Sequence, residues 1–398
     1  MSLRNKRIVN DSTKYGRLTI MQQPIVHTYS LGELYTERKE KGDPLLPILT
    51  VSIHTGVSEG ELDEDKLGKK VKRIADKTQY KTARKGDLVF NMMRAWQGAI
   101  GVVRSAGLVS PAYIVAKPNE KIWPEYMDYC MKTPRMIHAI HRQSYGVTDF
   151  RLRLYWDSFT PITCQLPPLP EQQKIATILS TQDKVIELKE KLLAQKQQQK
   201  KYLMQQLLMP KNKEKSFKAI HLSDISCLIN KHIDGQKYNY VSTENISPNL
   251  SGKVLFDESN IEISGVGFNA GDILVGNIRP YLKKVWRANK DGLCSTDVLV
   301  FKPIGISSEF LYYLIANDNF FFNVMTTAKG SKMPRGDKKA IMSAKMLIPE
   351  SRIEQNFIVE ILSTADHEIN LLQESIEAEK QKKKALMQLL LTGKVRVK

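Results

Sequence analysis

Apolar residues recur at Ile175, Ile178, Leu179, Val185, Ile186, Leu192 and Leu193, and again at Ile358, Ile361, Leu362, Ile369, Leu372 and Ile376. Steps of three, four and seven place each set on one stripe of an amphipathic helix. Start signals agree: Pro168 and Pro170 precede the first stretch and Pro349 the second, and a helix's first turn does not need the N–H that proline lacks. Both stripes break at the same point, 195–201 (QKQQQKK) and 377–384 (EAEKQKKK), then resume with Leu203 and Leu207 and with Leu386 and Leu390. A helix of about 38 residues spans about 57 Å at 1.5 Å per residue, longer than most globular cores use. Two arrangements bury such a stripe: the helices pair with each other, or each lies on its own globular segment. Pairing is the economical one, because each stripe then covers its copy.

The segments 24–167 and 217–347 have mixed periods. DLVFNM, AYIVAKP, YNYVST, DILVGN and DVLVFKP are short β-type runs bounded by turn residues, whereas 124–142 and 307–325 read as helices. Each segment is therefore expected to be α+β with its own small core, and 210–218 (PKNKEKSFK) reads as a charged link.

The chain is written twice. Residues 171–208 align with 354–391 without a gap, and 18 of the 38 pairs are identical, among them Glu171/Glu354, Asp183/Asp366, Lys200/Lys383 and Met204/Met387. Upstream, 85–103 aligns with 270–288, and the shared framework runs through Gly86/Gly271, Asp87/Asp272, Arg94/Arg279, Ser110/Ser295 and Pro118/Pro303. The predicted organisation is a first globular domain over 1–167, whose first 23 residues carry no assigned role, and a first helical spacer over 168–209. A second domain follows over 210–347, then a second spacer and C-terminal tail over 348–398.

Composition narrows the function. A chain of 398 residues exceeds one ordinary core, and 42% hydrophobic content excludes wholesale disorder. A formal charge of +18 attracts polyanions. No run of about 18 apolar residues supports a membrane partner, and the N-terminus lacks an apolar signal core, so a cytoplasmic location is expected. Cys130, Cys164, Cys227 and Cys294 are scattered and read as buried thiols. Catalytic motifs are missing: there is no Walker A loop, no GxGxxG after a strand, no Asn/Asp-Pro-Pro-aromatic signature and no Pro-Asp with a downstream Glu-x-Lys. His138 and His141 lack a companion carboxylate or cysteine pattern, which favours packing over metal. Asp87 and Asp272, each after a glycine, read as turn carboxylates bonding local amides. No catalytic and no metal-ligating residue is assigned.

The helical repeats, PLPEQQKIATILSTQDKVIELKEKL ending in KKYLMQQLL and IEQNFIVEILSTADHEINLLQ ending in KKKALMQLLLTGKVRV, resemble the specificity subunit of type I restriction-modification systems. The resemblance covers nearly the whole chain; the GDxLxxxxR core of the globular copies is looser, spelled GDLVFNMMR in the first. It implies two target-recognition domains separated by spacers that pair as an antiparallel coiled coil and act as a ruler. Each domain would read one half of an interrupted site in double-stranded DNA. Two methyltransferase (modification) subunits would dock around the spacers, and restriction/translocase subunits would join them. S-adenosylmethionine, ATP and Mg would belong to those partners and no cofactor to this chain. Two copied readers are expected to take half-sites roughly 34 Å, one helical turn, apart. The alternative is a free-standing two-domain DNA-binding or architectural protein without methyltransferase partners.

Candidate DNA contacts are guanidinium, ammonium, amide and aromatic groups in loops beside the shared framework. In the first domain they are Arg94, Trp96, Gln97, Arg104, Arg142, Gln143, Tyr145, Arg151 and Arg153. In the second they are Arg279, Tyr281, Lys283, Lys284, Arg287, Lys329, Lys332 and Arg335. The loops 143–153 and 328–339 occupy equivalent places and suit phosphate contact or groove insertion. Arg94 and Arg279, being repeated, either brace the fold or contact DNA. The spacer lysines Lys196, Lys200, Lys201, Lys380, Lys382, Lys383 and Lys384 either meet phosphates or are simply solvated. Ile175, Ile178, Leu179, Ile358, Ile361 and Leu362 are coil-seam residues or a docking surface for partner helices.

Overall fold

The computed structural model describes residues 18–19, 26–53, 55–59, 76–148, 151–209, 217–236, 239–256 and 262–397. Most of the N-terminal 23 residues and of the 210–218 link therefore lie outside the described residues.

In the first domain, β1 (Leu18–Thr19) and β2 (His27–Ser30) lead to a short helix α1 (Leu31–Leu34) and β3 (Tyr35–Glu37). Next come β4 (Leu49–Ser52), β5 (Gly56–Glu59), β6 (Lys81–Ala83), β7 (Leu88–Asn91), β8 (Ile100–Val102), β9 (Gly107–Val109) and β10 (Tyr113–Pro118). Helices α2 (Pro124–Cys130), α3 (Pro134–Gln143) and α4 (Trp156–Phe159) and strand β11 (Thr163–Leu166) close the domain. The 124–142 stretch is thus two helices, because Pro134 cannot continue the first and starts the second, where the Thr133 side chain accepts from the Met136 amide.

The second domain repeats this plan with β12 (Phe217–His221), α6 (Leu222–Ile225), β13 (Ser226–Ile229), β14 (His232–Gln236), β15 (Tyr240–Val241) and β16 (Glu262–Phe268). It continues through β17 (Ile273–Gly276), β18 (Val285–Arg287), β19 (Gly292–Cys294), β20 (Val298–Pro303), α7 (Ser308–Ile315), α8 (Asp318–Thr326), α9 (Lys338–Met342) and β21 (Lys345–Pro349). The central sheets correspond strand for strand: β3-β10-β7-β8 in one and β13-β20-β17-β18 in the other, all pairs antiparallel. Leu88 and Ile273, Ile100 and Val285, Gly107 and Gly292, and Tyr113 and Val298 begin equivalent strands, each pair 185 residues apart. The domains differ in their accessory strands: β4-β5 and β6-β9 pairs in the first, a four-stranded β14-β16-β19-β15 sheet in the second.

The repeated Gly-Asp is a turn entering the central strand. Gly86 and Gly271 have φ of 91° and 95°, a conformation that costs other residues a Cβ clash. The Asp87 carboxylate accepts from the Arg84 amide at 2.8 Å and Asp272 from the Asn269 amide at 2.8 Å. Asp87 is also gripped by the Arg38 guanidinium, at 2.7 and 3.1 Å. Cys130, Cys164 and Cys294 are buried, and burial pushes the Cys130 and Cys294 thiols up to about 12. Cys227, expected to be buried, is only half-buried.

Both spacers are single helices of 40 residues, α5 (Leu169–Leu208) and α10 (Arg352–Leu391), and the chain ends in β22 (Arg396–Val397). Two compact units result, Met1–Leu188 with Ile376–Lys398 and Lys189–Ser375. Within the first, Gln182 on α5 donates to the Glu379 carboxylate at 2.7 Å, Asp183 pairs with Lys383, and Glu171 accepts a two-pronged contact from Arg396. Within the second, Lys189 donates to the Ser375 hydroxyl at 2.7 Å, Lys196 pairs with Glu368 at 2.7 Å and Lys200 with Asp366 at 2.5 Å. Partners descend along α10 as they rise along α5, so the helices pair antiparallel.

The helix starts are buried differently from a simple seam of copy against copy. Ile175 and Leu179 join the core of the first domain, with Leu31, Tyr126 and Met127, and also meet Leu386 and Leu390 from the end of α10. Ile358 and Leu362 join the second core, with Leu222, Phe310 and Leu314, and meet Met204 and Leu208 from the end of α5. Ile178 and Ile361 are half-buried beside them. Each helix start is therefore wedged between its own domain and the far end of the other helix, and both arrangements open to the sequence operate together. Leu192, expected on the stripe, is 44% exposed; its repeat mate is Ser375, so nothing apolar recurs there.

Candidate nucleic-acid interface

In the first domain the chain leaves β7 in a tight turn. Asn91 accepts from the Met93 amide at 3.0 Å, and a single 3-10 turn follows over Ala95–Gln97. Trp96 is half-buried: its indole N–H donates to the Met93 carbonyl at 3.1 Å and its ring meets His141 on α3 edge-on at 5.6 Å. Tyr145 and Arg153 are joined by reciprocal backbone bonds, at 3.1 and 3.0 Å, and the Leu154 amide hooks to the Met92 carbonyl at 2.9 Å. The Tyr145 ring lies tilted against Tyr155 at 5.1 Å and stays 59% exposed.

These links gather Arg94, Trp96, Gln97, Arg142, Gln143, Tyr145, Arg151 and Arg153 into one surface. All but Trp96 are exposed, and none of the four guanidiniums has an ion-pair partner among the described residues. Arg104 is not part of it. Its charge acts on Tyr129, which donates to Asp183 of α5, so it lies toward the spacer.

The second domain builds the same arrangement. After β17 the chain turns through Arg279 (φ 52°), a 3-10 turn over Pro280–Leu282 and Lys283 (φ 49°). Left-handed backbone is costly for such residues and persists only where neighbours impose it; here the Arg279 amide donates to the Pro334 carbonyl at 2.9 Å. The hairpin 329–335 closes by reciprocal bonds between Lys329 and Arg335, both 2.9 Å. Arg279, Tyr281, Lys329, Lys332 and Arg335 are exposed here.

The other three candidates also meet acids or carbonyls, as do Lys329, paired with Asp337 at 2.9 Å, and Arg335, paired with Asp297; Lys283 and Lys284 are half-buried, whereas Arg287 is exposed. Lys283 pairs with Asp318 at 2.5 Å, Lys284 donates to the Thr243 carbonyl at 2.5 Å, and Arg287 pairs with Glu309. Hydrogen bonds from Lys201 and Lys283 hold the Asp318 carboxyl below its usual range. Arg94 and Arg279 have exposed side chains with no ion-pair partner among the described residues, and the charge of Arg94 acts on Tyr113.

The spacer lysines have a third role that sequence reading did not weigh. Lys196, Lys200 and Lys383 cross to carboxylates of the opposite helix, Lys201 pairs with Asp318 at 2.6 Å, and Lys382 lies 3.8 Å from Glu379. They fill the polar break in each stripe. Also unnoticed in the sequence was a duplicated triad. Tyr129 donates to Asp183 at 2.7 Å, and Lys383 lies over its ring; Tyr313 donates to Asp366 at 2.9 Å, and Lys200 lies over its ring. The repeated Asp183/Asp366 and Lys200/Lys383 were its visible trace.

A duplicated α+β reader carried on paired helices defines a class of DNA specificity proteins. The sequence pattern described as the type I restriction modification DNA specificity domain matches the chain twice, over residues 34–197 and 222–380. The chain belongs to that family; it is a specificity subunit of the type I class. The type I restriction enzyme MjaVIII specificity subunit of Methanocaldococcus jannaschii is 25% identical over 333 residues, 73% of this chain and 75% of the relative. A putative MjaX specificity subunit from the same organism is 27% identical over 324 residues, 72% of this chain and 71% of that protein. Among solved structures, a chain from work on complex assembly and conformational transition of a type I R-M system superimposes with a TM-score of 0.59 at 14% identity. The match covers 93% of this chain and 99% of that one. The S subunit from M. genitalium gives 0.58 at 11% identity, covering 94% and 98%. Those likenesses establish the shared fold. Among the described residues no helix is long and apolar enough to cross a membrane.

Proposed function

We propose that this chain reads an interrupted two-part site in double-stranded DNA and brings two modification subunits and the restriction subunits of its system to it. The carrying observation is that one hairpin-and-turn surface, rich in exposed guanidinium, ammonium and aromatic groups, is built at the same place in both copies. Phosphate contacts from such groups position a protein on the duplex, and groove contacts from a few of them specify bases. Because the copies share a framework and differ in these loops, the two half-sites differ in sequence. The chain contributes no catalysis and no cofactor; S-adenosylmethionine, ATP and Mg act in the partners, in the cytoplasm. Methylation-aware sequencing of the native genome tests the reading. An interrupted adenine-modified motif should vanish when the gene is deleted, whereas a continuous motif, or one that survives deletion, would refute it.

A further inference from the structure

The two readers treat their arginines differently, and the difference deepens the function proposed above, on which this inference rests. Arg153 and Arg335 hold the same place: each closes its hairpin by a backbone bridge, to Tyr145 and to Lys329. Among the described residues, a carboxylate meets the guanidinium in the second copy and none does in the first. Arg335 Nε donates to Asp297 Oδ1 at 3.1 Å. The framework equivalent of Asp297 in the first domain is Ala112, although Ser295 and Val300 around it are shared with Ser110 and Val115.

Arg335 is fixed at both ends. Its backbone bridges Lys329 on one side and Ile278 on the other, and its side chain is tied by Nε. The pair is open to solvent, the side chains being 56% and 33% exposed, and such pairs add little to stability. Its effect is orientation. With Nε occupied, the two Nη groups form a fork with no partner among the described residues.

A planar fork held in one direction suits two acceptors side by side, and the guanine edge in the major groove, O6 and N7, offers them. A phosphate contact does not require such restraint, since even a mobile lysine meets it as a point charge. We infer that Arg335 is a base-reading residue that selects a G·C pair in the second half-site, and that Asp297 is its positioning residue.

Selection of randomised duplexes by the full chain tests this. For Arg335→Ala, preference for G·C at one base pair of one half-site should fall by about tenfold, with every other position unchanged. Arg335→Lys keeps the charge and should keep overall affinity and salt dependence while losing the same preference. Asp297→Asn should weaken that preference to a lesser degree, and Asp297→Glu should restore it. Uniform weakening of all sequences by Arg335→Ala, with a shallower salt slope, would make Arg335 a phosphate contact and overturn the inference. An unchanged motif would overturn it as well. If the wild-type chain enriches no two-part motif, the proposed function itself fails.

Discussion

Tyr129 and Tyr313 show how much a single side chain settles here. Burial, then the adjacent carboxylate of Asp183 or Asp366, raises each phenol's pKa above its ordinary value. Each phenol therefore stays a proton donor through the neutral range, and it donates to a carboxylate that also takes a lysine from the other helix. Domain, own helix and opposite helix meet at one carboxylate. Removing a hydrogen bond to a charged acceptor costs about 1.5 kcal/mol. Tyr129→Phe and Tyr313→Phe are each expected to lower unfolding free energy by about that amount, and by similar amounts, because the triads are copies. Denaturant titration of both variants is the check; one large loss beside one negligible loss would show that the triads are not equivalent.

At the scale of elements, the helix stripes divide into buried and exposed parts that periodicity alone does not separate. Leu179 and Leu362 are fully buried, whereas Leu192 on the first stripe is 44% exposed; Leu188 and Leu371, a repeat pair off the stripes, are 53% and 52% exposed. Leu179→Ala should cost about 2–5 kcal/mol through lost burial and a residual cavity, while Leu188→Ala or Leu371→Ala should stay within about 0.5 kcal/mol. Thermal melts of the three variants decide the matter, and comparable losses in all would contradict the wedge packing of the helix starts. The interhelix ion pairs have a different role. Exposed pairs contribute little each, but Lys196–Glu368, Lys200–Asp366 and Asp183–Lys383 lie at fixed places along the helices and select one antiparallel register.

For the whole molecule, each compact unit combines a globular domain, the start of its own helix and the end of the other. Each hairpin lies within its own domain, while the helix ends that complete the domain's core belong to the repeated spacers. Replacing residues 1–167 with the corresponding domain of another specificity subunit is expected to change one half of the methylated motif and leave the other intact. Genome methylation mapping reads this out, and a change in both halves would end the independent-reader view.

Much of this was legible beforehand. Duplication, the two long helices and the central strands are visible as repeats and periods, since local geometry imposes spacings of 3.6 and 2 on any chain that buries one face. The places of the two hairpins were legible too, because the framework on both sides repeats. Which charges are free was not. In the sequence Lys283, Lys284, Arg287 and Arg104 look like the other cations; the fold sets Asp318, the Thr243 carbonyl and Glu309 beside the first three and places the charge of Arg104 near Tyr129. Periodicity likewise could not say that Leu192 would be exposed, because burial depends on what stands opposite. By itself, then, the sequence determined the duplicated architecture and the class of ligand. Only the tertiary structure decided which cations pair with carboxylates and which face solvent, because those partners come from segments far apart in the chain and meet only when it folds.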